Sequence, residues 1–367
     1  MQMIGTKPGC GSMRAVRVFL GATIAAGLAA AIYFSMAAVQ AETASSRIVG
    51  AANHFLLTLD EKQKQSLLFR FDDAQQRVRW SNLPVTMVPR AGLSLKELTS
   101  AQREAAMALV ASALSKRGYE KVKQIVEGDE ILKKTVASNG QQPPGGGQSP
   151  MFGKDLFYIS ILGKPSETEP WMVQFGGHHL ALNITIAGER GILTPTLTGA
   201  QPAIYTVEGK KVRPLGQESD KAFALLSALD ENQKKQAILS FQLADLVLGP
   251  GQDGKTIQPE GLKASAMNDK QRSMLLDLMS EWANIIHESA AAARRAELKA
   301  DIHETWFAWS GPTTLVPGSN ITAYYRIQGP HVVIEYAPQK LGGDLTMHVH
   351  TMYRDPTNDY GRGVTGK

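Results

Sequence analysis

The sequence is poor in cysteine, and this absence excludes several classes of protein. Its 367 residues contain a single cysteine, Cys10. One cysteine cannot form a disulfide scaffold or a cysteine-rich zinc site. Because Cys10 lies ahead of an apolar run near the N-terminus, a thiol nucleophile in the body of the chain is excluded as well. Any reaction must therefore use other side chains.

A marked excess of one charge is also lacking. Lys and Arg number 39 against 34 Asp and Glu, for a formal charge of +5. The basic residues are not interleaved with aromatic side chains that could stack on bases, so no nucleic-acid partner is expected. With 43% hydrophobic and 20% charged residues, the chain can bury a large core.

Residues 1–41 have the pattern of an export segment. Arg14 and Arg17 precede an apolar stretch, residues 18–39, which ends just before Ala41. This order is typical of a secretory signal peptide cleaved after Ala41. The same stretch is long enough to cross a bilayer, so an uncleaved membrane anchor is the alternative. Either interpretation predicts an exported protein, periplasmic or extracellular, with membrane contact only if the segment is retained.

Many features of the chain recur about 170 positions later. Leu59-Asp60-Glu61 returns as Leu229-Asp230-Glu231, and Gly92-Leu93 returns as Gly261-Leu262. A similar correspondence aligns His179 with His331. This colinear recurrence predicts an internal duplication. Residues 42–215 and 216–367 would each supply a helical layer and an antiparallel β-meander, packed as one globular α+β unit with pseudo-twofold symmetry.

Local signals predict three further features. A helix is expected from the N-cap Thr99 to Gly118, and another from Tyr119 to Leu132 with a break near Gly128. Residues 137–153 contain a run of proline and glycine, which predicts a mobile loop rather than a domain boundary.

Five of the eight histidines fall in three strand-like segments. Because side chains two residues apart in a strand share a face, parity predicts which polar groups lie together. The resulting set is His179 with Asn183, His331 with Glu335, and His348 with His350 and Arg354. Three strands could thus present these groups to a single polar cleft.

Imidazole and carboxylate groups are common ligands of zinc, copper and iron. We therefore predict a divalent transition metal held by His179, His331, His348 and His350. Catalytic roles are assigned to Glu335, Arg354 and Asp355, and contacts to a small-molecule ligand to Asn183, Gln201 and Asn358. The alternative is that these side chains satisfy buried backbone groups and join the two halves.

Motifs that would name a reaction are missing. The chain has no His-Glu-x-x-His helix, no phosphate-binding glycine loop and no Gly-x-Ser-x-Gly elbow. A metal with an open position could activate water for hydrolysis or, if redox-active, engage dioxygen. The leading prediction is an exported metal-dependent hydrolase. A non-catalytic ligand-binding, metal-binding or structural protein is the alternative.

Several motifs resemble a known family. They are the Gly177-His178-His179-Leu180 core, the Tyr324-Tyr325-Arg326-Ile327-Gln328-Gly329-Pro330 strand, and the ending that contains His348, His350, Arg354, Asp355 and Pro356. Together they resemble the bacterial and fungal family known as domain of unknown function 3500, over about residues 53–361. The resemblance implies no established activity, so the functional prediction depends on the residues themselves.

Overall fold

A mixed β-sheet of twelve strands runs through the computed structural model, which describes residues 43–138 and 151–365. The export segment predicted at 1–41, with its alternative anchor at 18–39, lies outside the described residues, as does most of the loop predicted at 137–153. Within the two described ranges, no helix combines the length and the apolar character needed to cross a membrane.

The helices and strands alternate in blocks along the chain. The helices are α1 (Ala44–Leu57), α2 (Glu61–Leu67), α3 (Ala74–Arg77), α4 (Ser100–Ala113), α5 (Lys116–Ser138), α6 (Gly216–Ala228), α7 (Glu231–Ala237), α8 (Asp269–Ala283), α9 (Glu288–Ala300) and α10 (Arg362–Thr365). The strands are β1 (Leu68–Phe69), β2 (Leu93–Ser94), β3 (Tyr158–Leu162), β4 (Trp171–Gly177), β5 (Leu180–Ala187), β6 (Arg190–Ile192), β7 (Thr196–Ala200), β8 (Tyr205–Val207), β9 (Lys210–Val212), β10 (Leu262–Lys263), β11 (Trp306–Ser310), β12 (Tyr324–Gly329), β13 (Val332–Pro338) and β14 (Val349–Arg354).

The strand order of the sheet is mirrored about its centre. It runs β1-β3-β4-β5-β7-β14-β13-β12-β11-β10, with β2 beside β3 and β6 beside β5. β7 and β14 pair antiparallel in the middle, where Thr196 faces Tyr353. Among the named strands of the described residues, only β1 and β3 pair in parallel. The predicted α+β class with antiparallel meanders is confirmed, whereas the internal duplication stays a prediction.

The recurring Leu-Asp-Glu segments have the same local role in both places. Asp60 caps α2 by accepting the backbone N–H of Gln63 at 2.8 Å. Asp230 caps α7 in the same way through Gln233 at 2.9 Å. In each case the glutamine side chain bonds back to the backbone N–H of the cap, which completes a capping box. The border between the predicted halves falls between β9 and α6, and the chain from Ala44 onward forms one compact unit.

Two predicted helix boundaries are wrong. Thr99 caps α4 as predicted, but that helix ends at Ala113, and Gly118 lies in the first turn of α5. A side chain at Gly118 would collide with the backbone carbonyl of Ile285, so close helix packing explains this glycine. Helix α5 also continues through Gly128 without a break.

The two faces of the sheet are covered differently. Helices cover one face, where the alternating row Leu180, Leu182, Ile184 and Ile186 joins the main hydrophobic core. Two largely irregular segments cover the other face, which we call the polar face. The first strap comprises residues 70–91, and the second strap comprises residues 240–261. Trp80 of the first strap and Leu246 of the second pack against the same small apolar cluster on this face.

Candidate metal centre

Three of the predicted metal ligands meet on the polar face. His179, His348 and His350 are buried, and one ligand nitrogen from each lies within 4.8 Å of the others. The Nε2 atom of His348 is 2.9 Å from Nε2 of His179 and 3.1 Å from Nε2 of His350. We call these three side chains the histidine triad.

Each imidazole is positioned by a simple local feature. His348 and His350 flank Val349, whose side chain lies in the main core, so strand alternation directs both imidazoles to the polar face. His179 differs from the prediction because it is not a strand residue. It is the second residue of the turn between β4 and β5, with a φ of 62°.

A glycine makes room for this turn. Gly199 pairs with His350 across β7 and β14. A Cβ atom at Gly199 would lie 3.0 Å from Cδ2 of His179 and 2.9 Å from the carbonyl oxygen of Val349. The site therefore depends on the absence of a side chain at this position.

The Nδ1 atoms of two triad members face protein groups. Nδ1 of His348 lies 3.2 Å from the carbonyl oxygen of Leu341, and Nδ1 of His350 lies 3.5 Å from Oδ1 of Asp245. When Nδ1–H donates to a carbonyl or a carboxylate, the Nε2 lone pair is left free to bind a metal. The amide of Asn82 also lies 3.3 Å from Nδ1 of His350. Asn82 belongs to the first strap and Asp245 to the second, so both straps meet at the triad.

Burial keeps the triad uncharged at neutral pH. Desolvation, reinforced by the neighbouring histidines, holds the pKa of His179 well below its ordinary value. Desolvation and His350 lower the pKa of His348 to about 4. Desolvation also lowers the pKa of His350, although Asp245 acts in the opposite direction. Neutral imidazole is the form that binds metals.

His178 is not a member of the triad, but its ring packs against that of His179. Its Nδ1 atom lies 2.6 Å from Oδ1 of Asp129 on α5, and its ring centroid is 3.7 Å from that of His179. Asp129 also accepts the backbone N–H of Gly153 at 2.7 Å. His178 is therefore a buried, hydrogen-bonded histidine that helps to fix the turn carrying His179.

Two of the three nitrogen separations in the triad are near those of a tetrahedral metal site. Two nitrogens that are each bound to zinc at about 2.0–2.1 Å lie roughly 3.3 Å apart. The two Nε2 separations of 2.9 and 3.1 Å are close to this value. These residues could hold a divalent transition metal and leave a fourth position for another ligand.

The structure does not bring His331 to the triad. His331 occupies the turn between β12 and β13, as His179 occupies the turn between β4 and β5. Its Nδ1 atom lies 2.9 Å from Oγ1 of Thr357, and Asp301 lies 3.9 Å from its Nε2 atom. Val333 pairs with Arg354, so His331 lies near the opposite end of β14 from His350. The expected four-histidine set is therefore corrected to three.

Glu335 and Arg354 lie on the polar face, as parity predicts, but they bind the second strap instead of the triad. Glu335 accepts the backbone N–H groups of Val247 and Leu248 at 2.7 and 2.8 Å. Arg354 donates to the carbonyl oxygens of Leu248 and Gly249 at 2.7 and 3.0 Å. Burial raises the pKa of Glu335, against the opposing effect of its hydrogen bonds. Both side chains anchor a backbone segment.

The remaining predicted residues lie in three other places. Asp355 pairs with Arg294 at 3.0 Å, and both line a separate cavity of about 180 Å³ together with Asn358. Asn183 is buried and accepts a bond from Gln174 at 2.9 Å. Gln201 follows β7, and its side-chain nitrogen lies beside Gly342, next to the Leu341 carbonyl that faces His348.

Sequence reasoning missed the groups that surround the triad. Asn82, Asp129 and Asp245 lie in segments with no metal-ligand spacing, and only the path of the folded chain brings them to the histidines. The Asp-His pairing itself has no sequence signal, because 49 residues separate Asp129 from His178.

Comparison with known proteins relates this chain to one family. No curated protein matches it, and no solved structure does. The profile of one family, described as protein of unknown function (DUF3500), matches residues 41–362. This match covers most of the chain and includes every member of the triad. The chain therefore belongs to the DUF3500 family, as its motifs suggested.

Proposed function

We propose that this protein is an exported metal-dependent hydrolase whose ion, most simply zinc, is held by His179, His348 and His350. One observation carries the proposal: the Nε2 atoms of the triad converge while Nδ1 of His348 and of His350 faces Leu341 and Asp245. Three neutral imidazoles with an open fourth position are the ligand set of a catalytic zinc site. Such an ion supplies a Lewis acid and a water molecule of lowered pKa.

The surrounding residues have defined tasks in this proposal. Asp245 and the Leu341 carbonyl would hold His350 and His348 in the tautomer that binds metal through Nε2. Glu335 and Arg354 fix the backbone next to Asp245 and so position it indirectly. His178 would keep the His179 ring in place. None of these groups needs to change its protonation state to hold the ion.

A structural metal site is the second candidate, and one observation favours it. The triad joins segments distant in sequence, since His179 and His348 are 169 residues apart, and its side chains are only 3–5% exposed. A metal there would link the turn between β4 and β5 to β14 whether or not a substrate could reach it. The two candidates share the site and differ in whether the fourth position is open to a substrate.

The metal site can be tested on the exported chain purified without a histidine tag. We expect about one equivalent of zinc by plasma mass spectrometry, and loss of it in His348→Ala and His350→Ala. His331→Ala is the matched control, because it removes a histidine that lies outside the triad. Substoichiometric metal in the wild-type protein, or full retention in His348→Ala, would contradict the proposal.

The hydrolase proposal needs a second measurement. Chromogenic ester, phosphoester, amide and glycoside probes would be tested on three samples. These are the metal-loaded protein, the protein after a chelator has removed the metal, and the same protein after zinc is added back. Hydrolysis of one class that follows the zinc content, and that is lost in His348→Ala but kept in His331→Ala, would support catalysis. Full metal binding without hydrolysis of any probe class would favour the structural site.

A further inference from the structure

Arg90 is a half-buried arginine of the first strap whose side chain binds four backbone carbonyl groups. Its Nη2 atom donates to the carbonyl oxygens of Ser81 and Leu83 at 2.8 Å each and to that of Gly177 at 3.3 Å. Its Nη1 atom donates to the carbonyl oxygen of Val88. Burial lowers the pKa of Arg90 to about 10, which leaves the guanidinium charged at neutral pH. A charged donor forms stronger hydrogen bonds than a neutral one, so these contacts hold the backbone firmly.

Two of these bonds hold the part of the first strap that touches the triad. The two 2.8 Å bonds of Arg90 go to the residues on either side of Asn82. The Asn82 carbonyl accepts the backbone N–H of His179 at 3.2 Å, and the Asn82 side-chain nitrogen lies 3.3 Å from Nδ1 of His350. Arg90 therefore fixes a residue that contacts two members of the triad.

A third bond links Arg90 to the turn that carries His179. Gly177 is the last residue of β4, and His179, two positions later, has a φ of 62°. Residues other than glycine adopt this geometry infrequently, and it persists where the surroundings hold it in place. Arg90 holds the start of the turn through the Gly177 carbonyl, and the Asn82 carbonyl holds the N–H of His179.

A guanidinium group is suited to this arrangement. It presents five N–H donors in a fixed plane and can therefore bind several carbonyl groups of different segments at once. The ammonium group of lysine donates from a single nitrogen on a flexible stem. Lysine at position 90 would keep the charge but could not reproduce the whole set of bonds.

We propose that Arg90 is a positioning residue of the metal centre, which holds the first strap and the His179 turn together so that the His179 imidazole stays aligned with His348 and His350. It acts through the backbone, since its bonds go to carbonyl groups and not to the triad. Loss of Arg90 should therefore weaken zinc binding although all three ligands remain. As a statement about the metal centre, this rests on the proposed function.

Arg90→Met removes every donor and keeps a long side chain. We expect its zinc affinity, measured by competition with a chromogenic chelator, to fall at least tenfold, the range found when groups that orient metal ligands are lost. The visible absorption of bound Co²⁺ should also change, because it reports the geometry of the ligands. Arg90→Lys should show a smaller loss of at least threefold. If Arg90→Met does not fold, Arg90→Lys replaces it, and wild-type zinc affinity in that variant would overturn the inference.

Arg77→Met is the matched control, because Arg77 is a half-buried arginine of the same strap. Its Nε and Nη2 atoms donate to the carbonyl oxygen of Phe71 at 3.0 and 2.6 Å, within the strap itself. Its loss should lower the thermal stability but leave the zinc affinity and the Co²⁺ spectrum unchanged. Wild-type zinc affinity in Arg90→Met, or an equal loss in both variants, would overturn the inference and leave the metal site in place.

Hydrogen exchange tests the same link in the zinc-free protein. The backbone N–H of His179 should exchange at least tenfold faster in Arg90→Met than in the wild-type protein, and at the wild-type rate in Arg77→Met. Unchanged exchange at His179 in Arg90→Met would overturn this inference, whereas a wild-type protein that binds no zinc would overturn the proposed function. The two failures are therefore distinguishable.

Discussion

At the scale of the residue, Gly199 shows how tightly the triad is packed. The glycine faces His350 across paired strands and lies against the ring of His179. A histidine pair on one strand is a common pattern, but its use as a ligand set depends on whether neighbouring side chains leave room for a third imidazole. Here the third imidazole comes from a turn with left-handed backbone geometry, which non-glycine residues adopt infrequently.

Gly199→Ala should therefore disturb the triad directly. Contacts of about 3 Å with His179 and with the Val349 carbonyl would force the turn or the strand to shift. We expect a loss of about 1–3 kcal/mol in the free energy of unfolding and weaker zinc binding. Chemical denaturation and metal titration measure the two effects.

Gly50→Ala is the matched control for this substitution. Gly50 lies within α1, and a Cβ atom there would have no neighbour within 4 Å. Alanine in a helix interior should raise the free energy of unfolding by about 0.5–1 kcal/mol and leave zinc binding unchanged. If Gly199→Ala behaved like Gly50→Ala in both measurements, the packing argument at the triad would be wrong.

At the scale of the element, the two straps bring Asn82 and Asp245 to the histidines of the polar face. The second strap is held by buried side chains of the sheet, including Glu335 and Arg354, and it carries Asp245 to His350. Strand parity predicted correctly that Glu335 and Arg354 lie on the same face as the histidines. Parity does not specify what covers a face, because an irregular segment has no periodicity in its sequence.

Glu335→Gln should loosen the second strap. One carboxylate oxygen is replaced by an NH₂ group, which cannot accept from the backbone N–H of Val247 or of Leu248. We expect a loss of about 1–3 kcal/mol in the free energy of unfolding and faster hydrogen exchange at these two amides. Glu167→Gln, at an exposed glutamate, is the control and should change neither. Unchanged exchange at Val247 and Leu248 would contradict the anchoring role.

Local signals determined the helix starts better than the helix ends. Thr99, Asp60 and Asp230 cap helices through bonds to residues three positions ahead, so a short sequence window contains all the information. Gly118 and Gly128 looked like helix stops, but both lie inside α5. Their reasons are tertiary: Gly118 lies against the Ile285 backbone, and Gly128 lies against the ring of Tyr205.

At the scale of the whole molecule, the triad lies beside β7 and β14, the central strand pair of the sheet. β7 and β14 are paired through residues about 150 positions apart, and the triad ties the same region together with side chains. A ligand that binds only the folded protein stabilises it by mass action. Metal binding should therefore strengthen the contact between the two predicted halves.

Zinc at one hundred times its dissociation constant should raise the free energy of unfolding by about 2.7 kcal/mol. The increase should vanish in His348→Ala and remain in His331→Ala, and thermal unfolding with and without zinc measures it. An equal increase in both variants would mean that zinc binds elsewhere on the chain.

The sequence alone determined the α+β class, the helix caps, the alternation that directs His348 and His350 to one face, and the family. Each of these depends on residues close together in the chain or on a pattern spread along it. Only the tertiary structure decided which histidines meet. His179 and His331 occupy similar turns, but His179 packs against Gly199, which pairs with His350, whereas His331 lies near Arg354 at the other end of β14. The supporting groups Asn82 and Asp245 reach the site through irregular straps, whose paths are set by long-range hydrogen bonds.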